Sequence, residues 1–445
     1  MTKSMTEGKP LKLILAFAVP MLFGMLFQQF YSMVDTIIVG KFLGVEPLAG
    51  VGSTGSLNFM VIGFCSGICS GFAVPVAQMF GAGQERELRK YVANAAWLCI
   101  GFSIVLTALV VVLCRPILVL MNTPENIFEY AYIYIVIIFW GIPCTILYNI
   151  LAAILRSLGD SRTPVVFLAL SSVINIVLDI LFILAFHMNV EGPALATVIS
   201  QGISGIVCLL YMKKKYPILQ MSREEWKPRR YYIWKLCYIG IPMGLQYSIT
   251  AIGTLVVQAA INGFGSVAVA GVTAAQKIGN FMTCPYEALG ATMASFAGQN
   301  MGAGKTDRIK EGLKDSILCG FVVSAVMFLI VLTVGKQLPL LFLDVPDAEV
   351  IGYAYRFMRV TSAGYALLTL VNTVRFTIQG MGFSGFAIIA GVMEMIARLL
   401  AGLVLIQWFG FSAVCMAHVL AWIFADLFLV PAFFHCIRKT ERMHR

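Results

Sequence analysis

The chain has 445 residues, of which 59% are hydrophobic and only 12% are charged, with a formal net charge of +10 and a mean hydropathy of +0.87. A soluble domain of this size needs about twice this share of charged residues, so the composition excludes a soluble globule. The basic residues lie between apolar stretches, so membrane topology explains them and nucleic-acid binding is not expected.

Apolar runs long enough to cross about 30 Å of hydrocarbon as helices recur along the whole chain. The first run is too long for a signal peptide and lacks a small-residue cleavage site, so we expect it to remain as a span. The polar breaks predict an all-α membrane protein with twelve spans, at residues 13–40, 46–80, 91–113, 127–155, 163–186, 192–212, 235–262, 267–298, 314–335, 350–378, 384–408 and 412–436.

The basic residues are distributed unequally between the two sets of loops. Most of the 32 Lys and Arg residues lie at the termini, in the central linker and in the loops after spans 2, 4 and 8. The loops on the other side contain only Lys41, Arg115 and Lys336. We therefore expect a multi-pass protein of the bacterial inner (plasma) membrane with both termini in the cytoplasm.

The two halves of the chain repeat each other. Gln78–Gly83 (QMFGAG) recurs in the second half as Gln299–Gly304 (QNMGAG), and Pro20 in span 1 corresponds to Pro242 in span 7. Each repeat has six spans, an even number, so the two copies should have the same orientation in the membrane. A cleft between them would open alternately to either side.

The longest polar stretch lies almost at the midpoint of the chain and marks the expected boundary between the repeats. We expect an N-lobe at residues 1–212 with spans 1–6, a cytoplasmic linker at 213–234, and a C-lobe at 235–445 with spans 7–12.

Two glycine-rich motifs resemble nucleotide-binding loops but have the wrong context. Gly298–Thr306 (GQNMGAGKT) has five residues between its framing glycines where four are required, and Gly50–Gly55 lies inside an apolar helix. HExxH, GxSxG and Cys–His metal spacings are absent from the sequence. We therefore expect neither enzymatic activity nor a cofactor, and an intramembrane enzyme is retained only as the alternative from another class.

Charged groups at bilayer depth cost at least about 2.5–3.5 kcal/mol each, so they are functional candidates by default. Glu394 and Arg398 are spaced i, i+4 and are expected to form a structural pair. Arg375 lies nearer a span end and is expected to reach the interface. The charged residues that we place at bilayer depth are Asp35, Asp179, Lys277, Glu287, Glu394, Arg398 and Asp426.

Polar side chains of the N-lobe share one depth in the membrane. At about 1.5 Å per residue, Asp35, Tyr134, Asp179 and Thr197 lie about 8–10 Å from the outer ends of their spans, and Asn175 lies one turn from Asp179. We expect these five residues to form a cation-coupling site. Two carboxylates, an amide and hydroxyls suit sodium, with Asp35, Asn175, Asp179 and Thr197 as its ligands, and paired carboxylates in a low dielectric suit a proton equally. The alternative is that they only hydrogen-bond neighbouring helices.

Met21, Met25 and Gln28 lie on one face of span 1. Flexible thioethers adapt to varied apolar ligands, so we expect this face to line a substrate cavity, with Glu287 on the second lobe. A packing or lipid-facing stripe is the alternative.

Several motifs together carry a resemblance to a known family. They are VDTIIVG at residues 34–40, the two QxxGAG turns, RSLGDSRTP at residues 156–164 and NIVLD at residues 175–179. With twelve spans in two repeats, the chain resembles the multidrug and toxic compound extrusion (MATE) transporters of the multidrug/oligosaccharidyl-lipid/polysaccharide flippase superfamily, over essentially its full length.

The resemblance implies a V-shaped pair of bundles that exports drugs and xenobiotics, mainly organic cations, while sodium or protons enter. It also implies an N-lobe cation site at Asp35, Tyr134, Asn175, Asp179 and Thr197, and a bend of span 1 at Pro20. We further expect the protein to be a monomer embedded in membrane lipid. Another branch uses acidic residues in spans 7 and 10, which have none in their interiors here. A lipid-linked oligosaccharide flippase of the same superfamily is the alternative function.

Overall fold

A computed structural model describes residues 4–342 and 347–443 and consists of long helices. Spans 2 and 4 are each broken into two helices, and span 5 ends in a π-helical turn. The first six spans are Pro10–Leu43 (span 1), Val45–Ser53 and Gly55–Gly81 (span 2), Glu85–Leu120 (span 3), Glu125–Trp140 and Ile142–Ser157 (span 4), Arg162–Ile180 with Leu181–Ala185 (span 5) and Glu191–Lys215 (span 6).

The second half repeats this order, again with a broken span 10 and a π-helical turn in span 11. Its spans are Arg230–Asn262 (span 7), Ser266–Gly302 (span 8), Thr306–Val334 (span 9), Ala348–Ala363 and Tyr365–Gly380 (span 10), Gly385–Leu399 with Leu400–Leu405 and Ile406–Phe409 (span 11) and Phe411–Met443 (span 12). Short 3₁₀ turns occur at Pro217–Leu219 and Leu338–Leu341.

Every predicted span coincides with one of these twelve helical segments, which confirms the predicted fold class. By length and apolarity alone, nine helices among the described residues could cross a membrane, and the bent pair forming span 4 would make a tenth. Spans 8 and 10 fall short of that criterion. Both contain charged side chains, including Lys277 and Glu287 in span 8 and Arg375 in span 10.

The chain forms two compact units, and the boundaries between them fall within span 1 and within span 7. Unit 1 contains Phe23–Gly244, and unit 2 contains Met5–Leu22 and the chain from Leu245 onward. Residues 5–22 and 235–244 therefore belong to the unit opposite to the lobe in which the sequence placed them. The functional lobes at 1–212 and 235–445 stay a prediction.

Helix packing is the same within each unit. In unit 1, span 2 packs on span 4, and span 6 packs on both span 4 and span 5. In unit 2, span 8 packs on span 10, and span 12 packs on both span 10 and span 11. The repeat seen in the sequence is thus a repeat of tertiary contacts.

Glycine lets two helices of unit 1 touch through their backbones. A Cβ atom on Gly71 of span 2 would lie 2.5 Å from the Cα atom of Gly240 in span 7, and one on Gly67 would lie 2.5 Å from the carbonyl oxygen of Met243. Small residues at such crossings allow the close approach that drives helix association in lipid.

The loop before span 5 is organised by one carboxylate. Asp160 Oδ1 accepts hydrogen bonds from the backbone nitrogens of Arg162 and Thr163, both at 3.0 Å. Its Oδ2 accepts from the Thr163 hydroxyl at 2.7 Å and from the Tyr216 hydroxyl. Burial alone would raise the pKa of Asp160, but the donors on Thr163 and Tyr216 outweigh it and hold the pKa below its usual value.

We expect Gly71→Ala to destabilise unit 1, because its methyl group must push spans 2 and 7 apart, at a cost of about 1–3 kcal/mol. The melting temperature in detergent should fall by several degrees. Gly101→Ala in span 3 is the matched control, because a Cβ atom there meets nothing within 4 Å. An unchanged melting temperature for Gly71→Ala would contradict the close crossing.

We expect Asp160→Asn to lower the melting temperature at neutral pH. A carboxyl whose folded pKa is lowered stabilises the fold above its unfolded pKa of about 3.9, and that stability is lost as the pH falls through the folded pKa. The difference from the parent protein should therefore shrink on acidification. Asp307→Asn, at a side chain that is 96% exposed, is the control and should show neither effect. A pH-independent difference would show that the charge of Asp160 is not what stabilises the loop.

Candidate functional site

Two carboxylates face each other inside unit 1. The carboxyl groups of Asp35 in span 1 and Asp179 in span 5 lie within hydrogen-bonding range of one another. Asp179 is 0% exposed, and Oδ1 of each carboxylate is buried without a hydrogen-bond partner among the described residues. The structure therefore brings together the two acidic residues that shared one predicted depth.

Asn175 and Thr197 connect Asp179 to span 6. The Asn175 amide satisfies both neighbours in one orientation, in which its nitrogen donates to Asp179 Oδ2 at 3.1 Å. Its oxygen then accepts from the Thr197 nitrogen at 3.1 Å and from the Thr197 hydroxyl at 3.2 Å. Asn175 is 1% exposed, so this orientation is set by protein groups.

Two tyrosines complete the cluster. Tyr134, which the sequence placed at this depth, is buried in electrostatic contact with both carboxylates. Tyr31 was not among the predicted residues, yet its hydroxyl hydrogen-bonds Thr197 and lies near Asp35 and Asp179. Its spacing of four residues from Asp35 puts both on one face of span 1, a signal that could have identified it.

Two features of this cluster concern the ion that it could bind. Two ionised carboxylates this close repel one another and lose hydration, whereas a shared proton relieves both penalties. Sodium requires several oxygen ligands, but the Asn175 oxygen is taken by Thr197 and its nitrogen faces Asp179. The sodium ligand set of Asp35, Asn175, Asp179 and Thr197 stays a prediction.

The predicted cavity residues of span 1 have different surroundings. Met21 is buried in unit 2, Met25 is half-buried in unit 1, and Gln28 is exposed. Pro20 lies inside a continuous helix, two residues before unit 1 and unit 2 divide at Leu22. The cavity role of this face and the bend at Pro20 stay predictions.

Span 8 carries exposed charges in unit 2. Glu287 is exposed and makes no ion pair among the residues that the structure describes. It is nevertheless surrounded by protein atoms at longer range, the combination expected of a side chain in a recess. Lys277 is also exposed, with its ammonium group 5.8 Å from the centre of the Phe342 ring.

The other intramembrane charges of unit 2 form one buried cluster. Arg398 Nη2 lies 3.3 Å from Glu394 Oε2, as their spacing predicted, and Arg375 pairs with the other oxygen of Glu394. The expectation that Arg375 reaches the interface is wrong, because it is 6% exposed and held by that ion pair. Asp426 is buried beside Arg375 and Glu394, with neither oxygen hydrogen-bonded to a described residue.

Comparison with known proteins identifies relatives over most of the chain. The sequence profile of the MatE family matches residues 20–181 and 242–405. The probable multidrug resistance protein YpnP of Bacillus subtilis (strain 168) is 30% identical over 352 residues, which cover 79% of this chain and 78% of that protein. An FAD transporter of Shewanella oneidensis is 24% identical over 368 residues, covering 81% and 80%.

Solved structures share the fold. A MATE protein crystallised in complex with MaL6 superposes with a TM-score of 0.90 at 20% identity, covering all of both chains. A MOP superfamily transporter from Pyrococcus furiosus gives a TM-score of 0.89 at 21% identity, covering 99% of this chain and 98% of the other.

Proposed function

Because the chain belongs to the MatE family of membrane transporters, we propose that it is a multidrug efflux protein that exports small organic molecules in exchange for protons. The name of the Bacillus relative YpnP, a probable multidrug resistance protein, supports the multidrug assignment. The facing carboxylates of Asp35 and Asp179 carry the proton assignment, because no described side chain supplies the positive charge that such a contact needs.

The proposed coupling works through the distance between spans 1 and 5. When Asp35 and Asp179 share a proton, the two spans can stay in contact. When the proton leaves, repulsion between two ionised carboxylates favours their separation. Proton and substrate must favour different states of the protein, because a ligand with equal affinity for both states shifts neither.

We propose organic cations as the main substrates. Glu287 supports this assignment, since an exposed carboxylate without an ion pair attracts a positive charge most strongly in a low-dielectric recess. Met21 and Met25 would supply adaptable apolar contacts. The protein would act as a monomer in the inner membrane. Both termini would lie in the cytoplasm, an orientation that the distribution of Lys and Arg supports.

A lipid-linked oligosaccharide flippase fits the basic residues of unit 2 less well. Holding a pyrophosphate requires available guanidinium or ammonium groups. Arg375 and Arg398 are instead buried against Glu394, so the exposed basic side chains of spans 8 and 10 are Lys277 and, in the first helix of span 10, Arg356 and Arg359.

We expect Asp35→Asn and Asp179→Asn each to abolish proton-driven efflux, because Asn keeps the shape of the side chain but cannot exchange a proton. Efflux of a fluorescent cationic dye from proteoliposomes should fall to the level of protein-free vesicles under an imposed pH gradient. A sodium gradient alone should drive no efflux by the parent protein.

Glu46→Gln, at an exposed carboxylate at the start of span 2, is the matched control and should transport normally. Reconstitution at equal protein content separates lost coupling from lost folding. Either aspartate variant transporting at the parent rate with the same ion dependence would disprove the site.

We expect Glu287→Gln to change substrate preference while leaving proton coupling intact. Efflux of a monovalent cationic dye should weaken several-fold, whereas efflux of a neutral substrate should change little, because only the cation loses an electrostatic contact. Equal losses for both substrates would show that Glu287 does not select charge.

A further inference from the structure

The two halves of the chain can be aligned where their helices break. Span 4 breaks at Gly141, and span 10 breaks at Gly364. The π-helical turns begin at Leu181 in span 5 and at Leu400 in span 11. The number of residues from Gly141 to Gly364 exceeds the number from Leu181 to Leu400 by about one helical turn. Corresponding faces of the helices therefore stay in register.

Two other pairs of spans align at the spacing that separates the two QxxGAG turns. Spans 1 and 7 are each followed by a glycine with positive φ, Gly44 at 94° and Gly265 at 88°. In spans 6 and 12, residues 196–198 (ATV) and 417–419 (AHV) have the same order of buried and half-buried positions.

This alignment gives every predicted residue of the unit 1 site a counterpart in unit 2. The residue that corresponds to Asp35 is apolar, and the residue that corresponds to Asp179 carries a guanidinium group. The pairs are Asp35 with Val256, Tyr134 with Phe357, Asn175 with Glu394, Asp179 with Arg398, and Thr197 with His418.

The counterparts also lie together in space. Arg398 bonds Glu394 one turn earlier, as Asp179 bonds Asn175 in unit 1. The His418 imidazole is in electrostatic contact with both Arg398 and Glu394, and its ring centre lies 5.9 Å from that of Phe357. The correspondence is therefore one of tertiary position as well as of sequence spacing.

Span 7 also approaches the counterpart site as span 1 approaches the unit 1 site. A Cβ atom on Gly253 would lie 3.1 Å from Cδ of Arg398, so the backbone of span 7 runs against the arginine stem. Val256 lies three residues further along the same helix. Span 1 presents the carboxylate of Asp35 to span 5, whereas the corresponding position of span 7 carries the apolar side chain of Val256.

Two additional charges accompany the guanidinium. Arg375 and Asp426 align with Ala152 and Gly205 of unit 1, which carry no charge. Together with Glu394 and Arg398 they form a cluster of two arginines and two acidic residues, all less than a tenth exposed. The charge of Glu394 is balanced by two guanidinium groups without any bound ion.

We propose that unit 2 contains a copy of the ion site in which the guanidinium of Arg398 takes the place of the coupling cation. The copy exchanges no ion during transport, so each cycle is coupled through unit 1 alone. The proposal rests on the proposed function only in taking Asp35 and Asp179 as the exchanging site.

The charges of the cluster explain why it would stay fixed. A guanidinium group remains protonated at any physiological pH, and its side chain attaches it to span 11. Two guanidinium groups already balance Glu394, so a further cation bound beside them would add uncompensated positive charge in a low dielectric. His418 and Asp426 are the other titratable groups that face Glu394 and Arg398, and each lies in the same cluster.

The first test removes one charge of each sign. The double variant Glu394→Gln with Arg398→Met keeps the net charge of the cluster unchanged and leaves Arg375 and Asp426 in place. We expect the number of protons exchanged per substrate molecule, measured in proteoliposomes with a pH-indicator dye and a labelled substrate, to equal that of the parent. A lower number would show that the cluster exchanges protons and would overturn the proposal.

The second test asks whether a free cation can replace the side chain. Arg398→Ala should lower the melting temperature by several degrees, and millimolar methylguanidinium should restore part of it, whereas sodium chloride at the same concentration should not. Arg359→Ala, which removes an exposed guanidinium, is the control and should respond to neither salt. An unaltered melting temperature for Arg398→Ala, or no difference between the two salts, would contradict the proposal.

The two tests also allow for the case in which one variant does not fold. If Arg398→Ala does not yield protein, the charge-balanced double variant still decides the question through its proton count. If Asp35→Asn retains coupling, the proposed function loses its site, while rescue of Arg398→Ala by methylguanidinium still supports a cation-like role for Arg398.

Discussion

Hydrocarbon offers no solvent to a charged side chain, so each carboxylate inside this protein needs a proton, a cation or an arginine. Glu394 has two arginines, and its charge is balanced within the protein. The carboxyl groups of Asp35 and Asp179 contact each other, and two ionised carboxylates would repel one another at that distance. Their contact therefore requires a proton or a cation, and in the proposed function the exchange of that proton makes unit 1 the switch.

Span 1 is suited to transmit such a switch along the chain. Asp35 and Tyr31 lie in its unit 1 portion, whereas Met5–Leu22 belongs to unit 2, and the helix is continuous across the division. Pro20 removes one backbone hydrogen bond just before that point, and Pro242 does the same in span 7. The predicted bend at Pro20 would absorb the movement of Asp35 relative to span 5 that the proposed function requires.

The extent to which the sequence predicts this structure follows from the range of each interaction. Twelve spans are readable because length and apolarity are local properties. Counting residues from the span ends then placed Asp35 and Asp179 at one depth, because membrane helices run roughly along the membrane normal. The ion pair between Arg375 and Glu394 was missed, since nothing local shows which faces of spans 10 and 11 meet. The orientation of the Asn175 amide depends on hydrogen bonds from Thr197 in span 6. It could not be predicted from the sequence either.

A single exchanging site sets how far substrate can be concentrated. One entering proton supplies about 1.4 kcal/mol per pH unit, which is a tenfold gradient, and about 2.3 kcal/mol per 100 mV of membrane potential. When a monovalent cation leaves in exchange, the two charges cancel and only the pH gradient drives export. A neutral substrate leaves the proton's charge uncompensated, so the membrane potential contributes as well. If Arg398 keeps unit 2 from exchanging a second proton, the charge of the substrate itself determines the concentration gradient that the protein can sustain.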